Sequence, residues 1–208
     1  FLESTLAQTY QYSRKAHSLC ENCTPVARAL IEAFLVRFPV AAVDDLDDEE
    51  QFAPWNDAYA AAMRSVYSRF PEDDEVCALT AEALMNRTPW ALWDLEKGMP
   101  AEGADTLEAI EILETAMQRG LDAKKRPHPA LHHFYIHCME MSPTPEKALA
   151  VCERLRYAMP DGGHLIHMPS RICVVWGLYD QVIESNVEAV VADDEDLAFD
   201  DAAGLFTV

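Results

Sequence analysis

The sequence predicts an all-α protein, an α-α superhelix of about four stacked helical hairpins, and three observations predict it. The twelve prolines fall at intervals that divide the 208 residues into helix-length pieces. All seven glycines lie at or beyond Gly98, so nearly half the chain runs without one. Between the cuts the apolar spacing is helical. Ala27, Leu30, Ile31, Phe34 and Leu35 follow an i, i+3, i+4, i+7, i+8 stripe, and Ala148, Val151, Cys152 and Leu155 repeat most of it. β-Branched alternation is nearly absent, and only residues 172–175 read as a short strand.

The elements follow in chain order. Residues 1–20 form a leading helix. Four hairpins then pair 24–38 with 55–70, 73–87 with 105–119, 128–141 with 145–159, and 164–176 with 180–192. Internal similarity supports this division. A shift of 34 residues lays Ala148, Leu149, Leu155 and Ala158 onto Val182, Ile183, Ala189 and Ala192, and Pro160 onto Asp194 at the helix ends. Residues 56–71 align with 145–160 at a shift of 89, which leaves about 21 residues beyond two periods of 34. The segment 88–105 is the natural host for most of them. Such hairpins bury their faces only against stacked neighbours, and the stack curves around a groove. Residues 1–194 are expected to form one helical repeat domain, a fragment of a longer solenoid, followed by an acidic tail over 195–208.

Composition narrows the function. A net charge of −20 with half the residues hydrophobic excludes a disordered chain, which would be poorer in Leu, Ile, Phe and Trp. No basic run exceeds Lys124-Lys125-Arg126, so nucleic acid is not an expected partner. The longest apolar stretches, 29–36 and 172–179, fall short of the roughly 20 residues that a membrane-spanning helix needs. Six carboxylates in 44–50 and six in 193–201, with no basic residue among them, read as a solvated loop and tail. Cys20, Cys23, Cys77, Cys138, Cys152 and Cys173 are too sparse for a disulfide scaffold and read as free thiols in a reducing compartment, so a soluble intracellular location is expected.

The run from Trp176 to Asp180, followed by Val182, Ile183, Ala189 and Val190, resembles the tetratricopeptide consensus. Four further segments, AYAAAMRSVY (58–67), AEALMNRTPW (81–90), HPALHHFYIHCME (128–140) and GHLIHMPSR (163–171), resemble a group of tetratricopeptide-repeat proteins, mostly of uncharacterised function. The likeness covers roughly residues 24–194 and is specific, because its His and Trp positions are no part of the ordinary repeat consensus. Members of that group are longer than this chain. Arg171 stands where their pattern has a final histidine. The resemblance implies a repeat scaffold.

The histidines of those segments form the one constellation with chemical promise. His133, His137 and Glu140 stand at i, i+4 and i+7, within roughly 60° of one another on one helix face. The 34-residue shift carries His133 onto His167 and His137 onto Arg171, and His164 lies one turn before His167. A site bridging two adjacent repeats follows, with His133, His137, Glu140, His164 and His167 as candidate ligands for a transition metal such as zinc, copper or iron. The competing reading is a hydrogen-bonded cluster of structural histidines, in which Arg171 binds a carboxylate or phosphate. His128, before Pro129, reads as a helix cap, and His132 as exposed. His17, Cys20 and Cys23 form H-x-x-C-x-x-C, with no second pair to complete a zinc site. Trp90 and Trp93, with Glu82 and Asn86, read as anchors of the 88–105 insertion or as a ligand-stacking platform.

Two function classes result. In the first, a scaffold docks a protein or peptide partner in its groove, in some larger assembly, with acidic charge favouring a basic partner. In the second, the histidine face binds a metal for hydrolytic or oxidative chemistry, with Glu140 as ligand or general base. Repeat folds favour the first class.

Overall fold

Local chemistry sets the helix starts in the computed structural model, which describes residues 3–45 and 49–203. Helix α1 spans Glu3–Leu19, and a 3₁₀ turn (Cys20–Asn22) leads to α2 (Pro25–Arg37). Thr24 caps α2 by accepting a hydrogen bond from the Ala27 N–H at 3.2 Å, and Pro25 occupies the first turn, where its missing N–H costs nothing. Helix α3 covers Ala53–Arg69 and α4 covers Asp74–Met85. Asp73 caps α4 through the Val76 N–H at 3.0 Å. Then follow α5 (Thr106–Asp122), α6 (Pro129–Met139), α7 (Leu149–Arg156), α8 (Gly163–His167), α9 (Pro169–Val175) and α10 (Tyr179–Ala203).

Consecutive helices pack in pairs: α2 on α3, α4 on α5, α6 on α7, and α8 with α9 on α10. The four expected hairpins therefore form, with α1 leading against α2, in an all-α superhelical arrangement. One continuous core runs from α2 to α9 through Met63, Leu84, Leu113, Ile136, Leu155 and Ile172, each fully buried. Each such side chain contributes about 1.5–3 kcal/mol relative to leaving it in water. Arginine pairs add connections between elements: Arg37 to Glu82 at 2.7 Å, Arg64 to Glu108 at 2.5 Å, and Arg156 to Glu188 at 2.7 Å. Partly exposed pairs of this kind are worth only about 0–1 kcal/mol, so they set helix alignment while the core supplies the stability. Among the described residues, no helix is long and apolar enough to cross a membrane.

The structure differs from the sequence expectation in several places. Residues 172–175 are helical, within α9. The strand instead lies in the 88–105 insertion, where β1 (Trp93–Asp94) pairs antiparallel with β2 (Met99–Pro100) around a turn with Gly98 at φ +64°. The expected helix over 164–176 is interrupted at Met168-Pro169, where the proline ends α8 and starts α9. The residues set apart as an acidic tail from Glu195 continue α10 as helix to Ala203; the remainder, 204–208, lies outside the described residues. So do residues 46–48 of the first acidic run. On α2 the closest packing falls on Ala29 and Ala33, with the predicted stripe only half buried.

A small contact fixes the short helix α8 on α10. A Cβ at Gly163 would stand 2.0 Å from Asp193 Oδ1 and 2.8 Å from the Ala189 carbonyl oxygen. The carboxylate can swing aside, but the backbone of α10 cannot. At Gly162 the nearest atoms would be at 3.5 Å, an ordinary contact. Gly163→Ala is therefore expected to destabilise the protein by about 1–3 kcal/mol, and Gly162→Ala by no more than about 0.5 kcal/mol. Thermal or denaturant unfolding of the two variants checks this, and equal effects would contradict it.

Candidate metal centre beside an apolar cleft

Helix α6 presents one face to the core through Leu131, His132, Tyr135, Ile136, Cys138 and Met139, all buried. His133 and His137 lie at the edge of that face, one turn apart, and Glu140 follows at the helix end. His164 reaches them from α8. His133 Nε2 is 3.0 Å from His137 Nε2 and 3.1 Å from His164 Nε2. The ring planes cross at 67° and 86°, so the three imidazoles meet by their nitrogen edges and do not stack. Their donor atoms all lie within 4.8 Å of one another, and this is the one such group of three or more His, Cys, Asp or Glu among the described residues.

The hydrogen bonds assign the tautomers. His137 Nδ1 lies 3.0 Å from Glu140 Oε1, and a carboxylate only accepts, so in its neutral form His137 carries the proton on Nδ1 and leaves the lone pair on Nε2. Glu140 is nearly enclosed. Burial pushes its pKa up, but hydrogen bonds from His137 and Arg171 outweigh that and hold it below the usual carboxylate range. Arg171 Nε donates to Glu140 Oε2 in a short bond, and a second guanidinium nitrogen lies 3.3 Å from Oε1. Burial first, then the neighbouring His137, His164 and Arg171, push His133 down to about 4. His164 is lowered by the same kinds of cause, with burial again first. His133 is thus neutral at neutral pH, the form of imidazole that binds metals.

Of the five predicted ligands, then, three converge. Glu140 stands behind them as the carboxylate that orients His137, and with both oxygens engaged it is not a free general base. His167 does not join. Its Nδ1–H donates to Asn186 Oδ1 at 2.8 Å on α10, and the Asn186 amide is oriented by its own bond to the Val182 carbonyl at 2.7 Å. Both histidines lie on α8, and it is His164 that faces α6 while His167 faces α10. The 34-residue shift assumes one uninterrupted helix, but α8 is a separate short piece whose His164 takes the place assigned to His167. His132 is buried, a correction to its expected exposure: it lies one turn before the fully buried Ile136 and bonds the His128 carbonyl oxygen at 3.0 Å. His128 holds the cap position of α6, but its side chain makes no cap bond and meets Glu75 at 3.2 Å.

A cleft of about 370 Å³ opens beside the histidines, with His133, His137 and Glu140 on one side and Trp90, Trp93 and Leu95 of the insertion on another. Met85, Leu92, Phe134 and Met141 complete its apolar walls, and Glu82 and Asn86 are its other polar groups. Nothing in the sequence pointed to Phe134, Leu95 or Met141 as lining residues. The departure of 88–105 from the repeat period was the signal that something had been inserted at this point. The two tryptophans divide the roles proposed for them: Trp93 anchors the loop by donating its indole N–H to the Cys138 carbonyl at 2.7 Å, whereas Trp90 is 92% exposed. The cysteines stay apart from the centre. All six are free, and burial pushes Cys138 and Cys152 up to about 12, which leaves them protonated.

Comparison with protein-family models, with curated proteins and with solved structures yields no match to this chain.

The His133 value has a measurable consequence for the metal-free protein. Its folded pKa lies below the ordinary 6.5, so the unfolded chain takes up the proton first, and stability declines as pH falls from about 6.5 to about 4. His133→Gln is expected to make that decline shallower. In an NMR titration the His133 ring should remain neutral at pH 5.5. A ring that titrates near 6.5 would contradict the enclosed geometry.

Proposed function

We propose that this chain is a metal-dependent enzyme of the hydrolytic kind, in which His133, His137 and His164 hold a divalent transition metal at the side of the apolar cleft. One observation carries the reading: three imidazole Nε2 atoms from two helices converge with too few protons among them. A neutral His137, with its proton held on Nδ1 by Glu140, has none on Nε2. If His133 is protonated there, one N–H must serve both the 3.0 Å and the 3.1 Å contacts. If it is not, two lone pairs face each other across 3.0 Å. A cation between the rings removes the conflict, because it takes three lone pairs at once. Two of the spacings, 3.0 and 3.1 Å, are near the roughly 3.3 Å that separates nitrogens at about 2.0–2.1 Å from a tetrahedral ion, and all three donor atoms lie within 4.8 Å of one another.

The surroundings favour the same reading. Three neutral imidazoles leave a fourth position on the ion, and a bound ion of this type lowers the pKa of water to about 7. Glu140 fixes the His137 ring and supplies negative charge behind it, as carboxylates behind metal-bound histidines do. Arg171 is anchored on Glu140, whose carboxylate offsets the positive charge that the guanidinium brings near His133 and His164. The apolar walls limit water around whatever occupies the cleft.

A partner-binding scaffold, the class favoured by the repeat pattern, keeps one specific support. Tyr179, Ile183, Val187 and Val190 form an exposed apolar stripe along α10 at helical spacing. That surface lies on the last helix and is separate from the cleft, so the two readings are compatible.

Elemental analysis of untagged protein loaded with zinc or cobalt and then dialysed is expected to find about one metal equivalent per chain. Ala substitution of His133, His137 or His164 should abolish that stoichiometric binding, whereas His167→Ala should retain it. Wild-type protein without metal would overturn the proposal. Loss of metal in His167→Ala with retention in His164→Ala would overturn the ligand set.

A further inference from the structure

From the cleft we infer, on the reading of the metal centre given above, that its ligand is a planar aromatic compound carrying an oxygen donor, with its ring stacked on Trp90 and its donor turned to the histidine centre. Trp90 is held at φ +62°, in the left-handed region that bulky residues rarely occupy. Its indole is 92% exposed, so packing does not compensate for the strain. An exposed tryptophan on an unfavourable backbone serves no structural purpose visible in its contacts, yet it lines the cleft.

The segment around it is firmly tied. Trp93 donates to the Cys138 carbonyl at 2.7 Å, Thr106 Oγ1 donates to the Leu92 carbonyl at 2.6 Å, and the Ala101 N–H reaches the same carbonyl at 3.2 Å. At the start of the insertion Arg87 binds Asp57 at 2.7 Å and also Asp105. The loop is thereby clamped to α3, α5 and α6, and Trp90 is presented at a set position. Presentation of an aromatic face from a clamped loop suits a flat apolar ligand, because little ordering remains to be done on binding.

Charge narrows the class. Among the described residues no lysine or arginine lines the cleft, so a phosphate or a polyanion finds no counter-ion beyond the metal ion itself. The Glu82 carboxylate is already neutralised by Arg37, with N···O distances of 2.7 and 3.0 Å, and also bonds Asn86. It therefore offers no strong attraction to a cationic ligand. What remains is a neutral aromatic body flanked by Phe134 and Trp93, with one charged or polar end directed to the ion. Phenols, catechols and aryl hydroxamates have this form.

The test uses 4-nitrocatechol as probe and acetohydroxamate, which has the donor oxygens without the ring, as control. Both are titrated into the full chain loaded with zinc. 4-Nitrocatechol is expected to bind with a shift of its visible absorption and quenching of tryptophan emission. Trp90→Ala should weaken that binding at least about tenfold while metal content and acetohydroxamate affinity stay unchanged, and Trp90→Phe should restore most of it. Trp90→Gly, which relieves the backbone, should leave thermal stability equal or higher and still lose the probe. Equal 4-nitrocatechol affinity in wild type and Trp90→Ala, with metal present, overturns this inference and leaves the metal centre standing. Failure of the wild-type chain to hold metal overturns both.

Discussion

The Glu140 carboxylate is the group on which the rest of the site depends. It ends α6, accepts from His137 Nδ1 at 3.0 Å, and takes the guanidinium of Arg171 from α9. Those bonds join two adjacent hairpins through one charge. They also decide the chemistry, since a proton held on His137 Nδ1 leaves Nε2 as a lone pair directed at His133. Without Arg171 the carboxylate would keep only the hydrogen bond from His137 against the burial that raises its pKa. Replacing Glu140 would cost more than a hydrogen bond, because it would release both the tautomer of His137 and the link between α6 and α9.

A second constraint is how α8 is placed. Its five residues cannot form a stable helix alone, and Gly163 allows it to lie directly on the α10 backbone. Pro169 then starts α9, and on α8 His164 meets His133 while His167 meets Asn186. The result is a centre whose ligands come from two hairpins, next to a cleft whose far wall is an inserted loop. Scaffold, ligands and wall are thus supplied by different parts of the chain, and among the ligands His137 is held through its other ring nitrogen by Glu140.

Much of this was legible in the sequence, for identifiable reasons. Proline spacing and the 3.6-residue stripes mark helices and their ends, so the four hairpins could be read directly. Helical spacing also places His133, His137 and Glu140 on one face, because within a single helix position follows from residue number. Across helices that rule fails. The 34-residue shift carried His133 onto His167, with His164 named beside it, and residue number alone could not show that only His164 faces His133. The exposure assigned to His132 erred for a related reason: one residue's offset from His133 does not reveal how wide the buried face of α6 is. Trp90 and Trp93 were equivalent in sequence and opposite in structure, since only the fold shows which of them finds the Cys138 carbonyl.

The central claim is that three imidazole nitrogens, and no cysteine, hold a metal ion. X-ray absorption spectroscopy of the zinc-loaded chain addresses it most directly. The account predicts three imidazole nitrogens at about 2.0–2.1 Å, with the outer-shell pattern of histidine rings and one further light atom. Sulfur scattering at about 2.3 Å, or a shell of oxygen without imidazole, would contradict it.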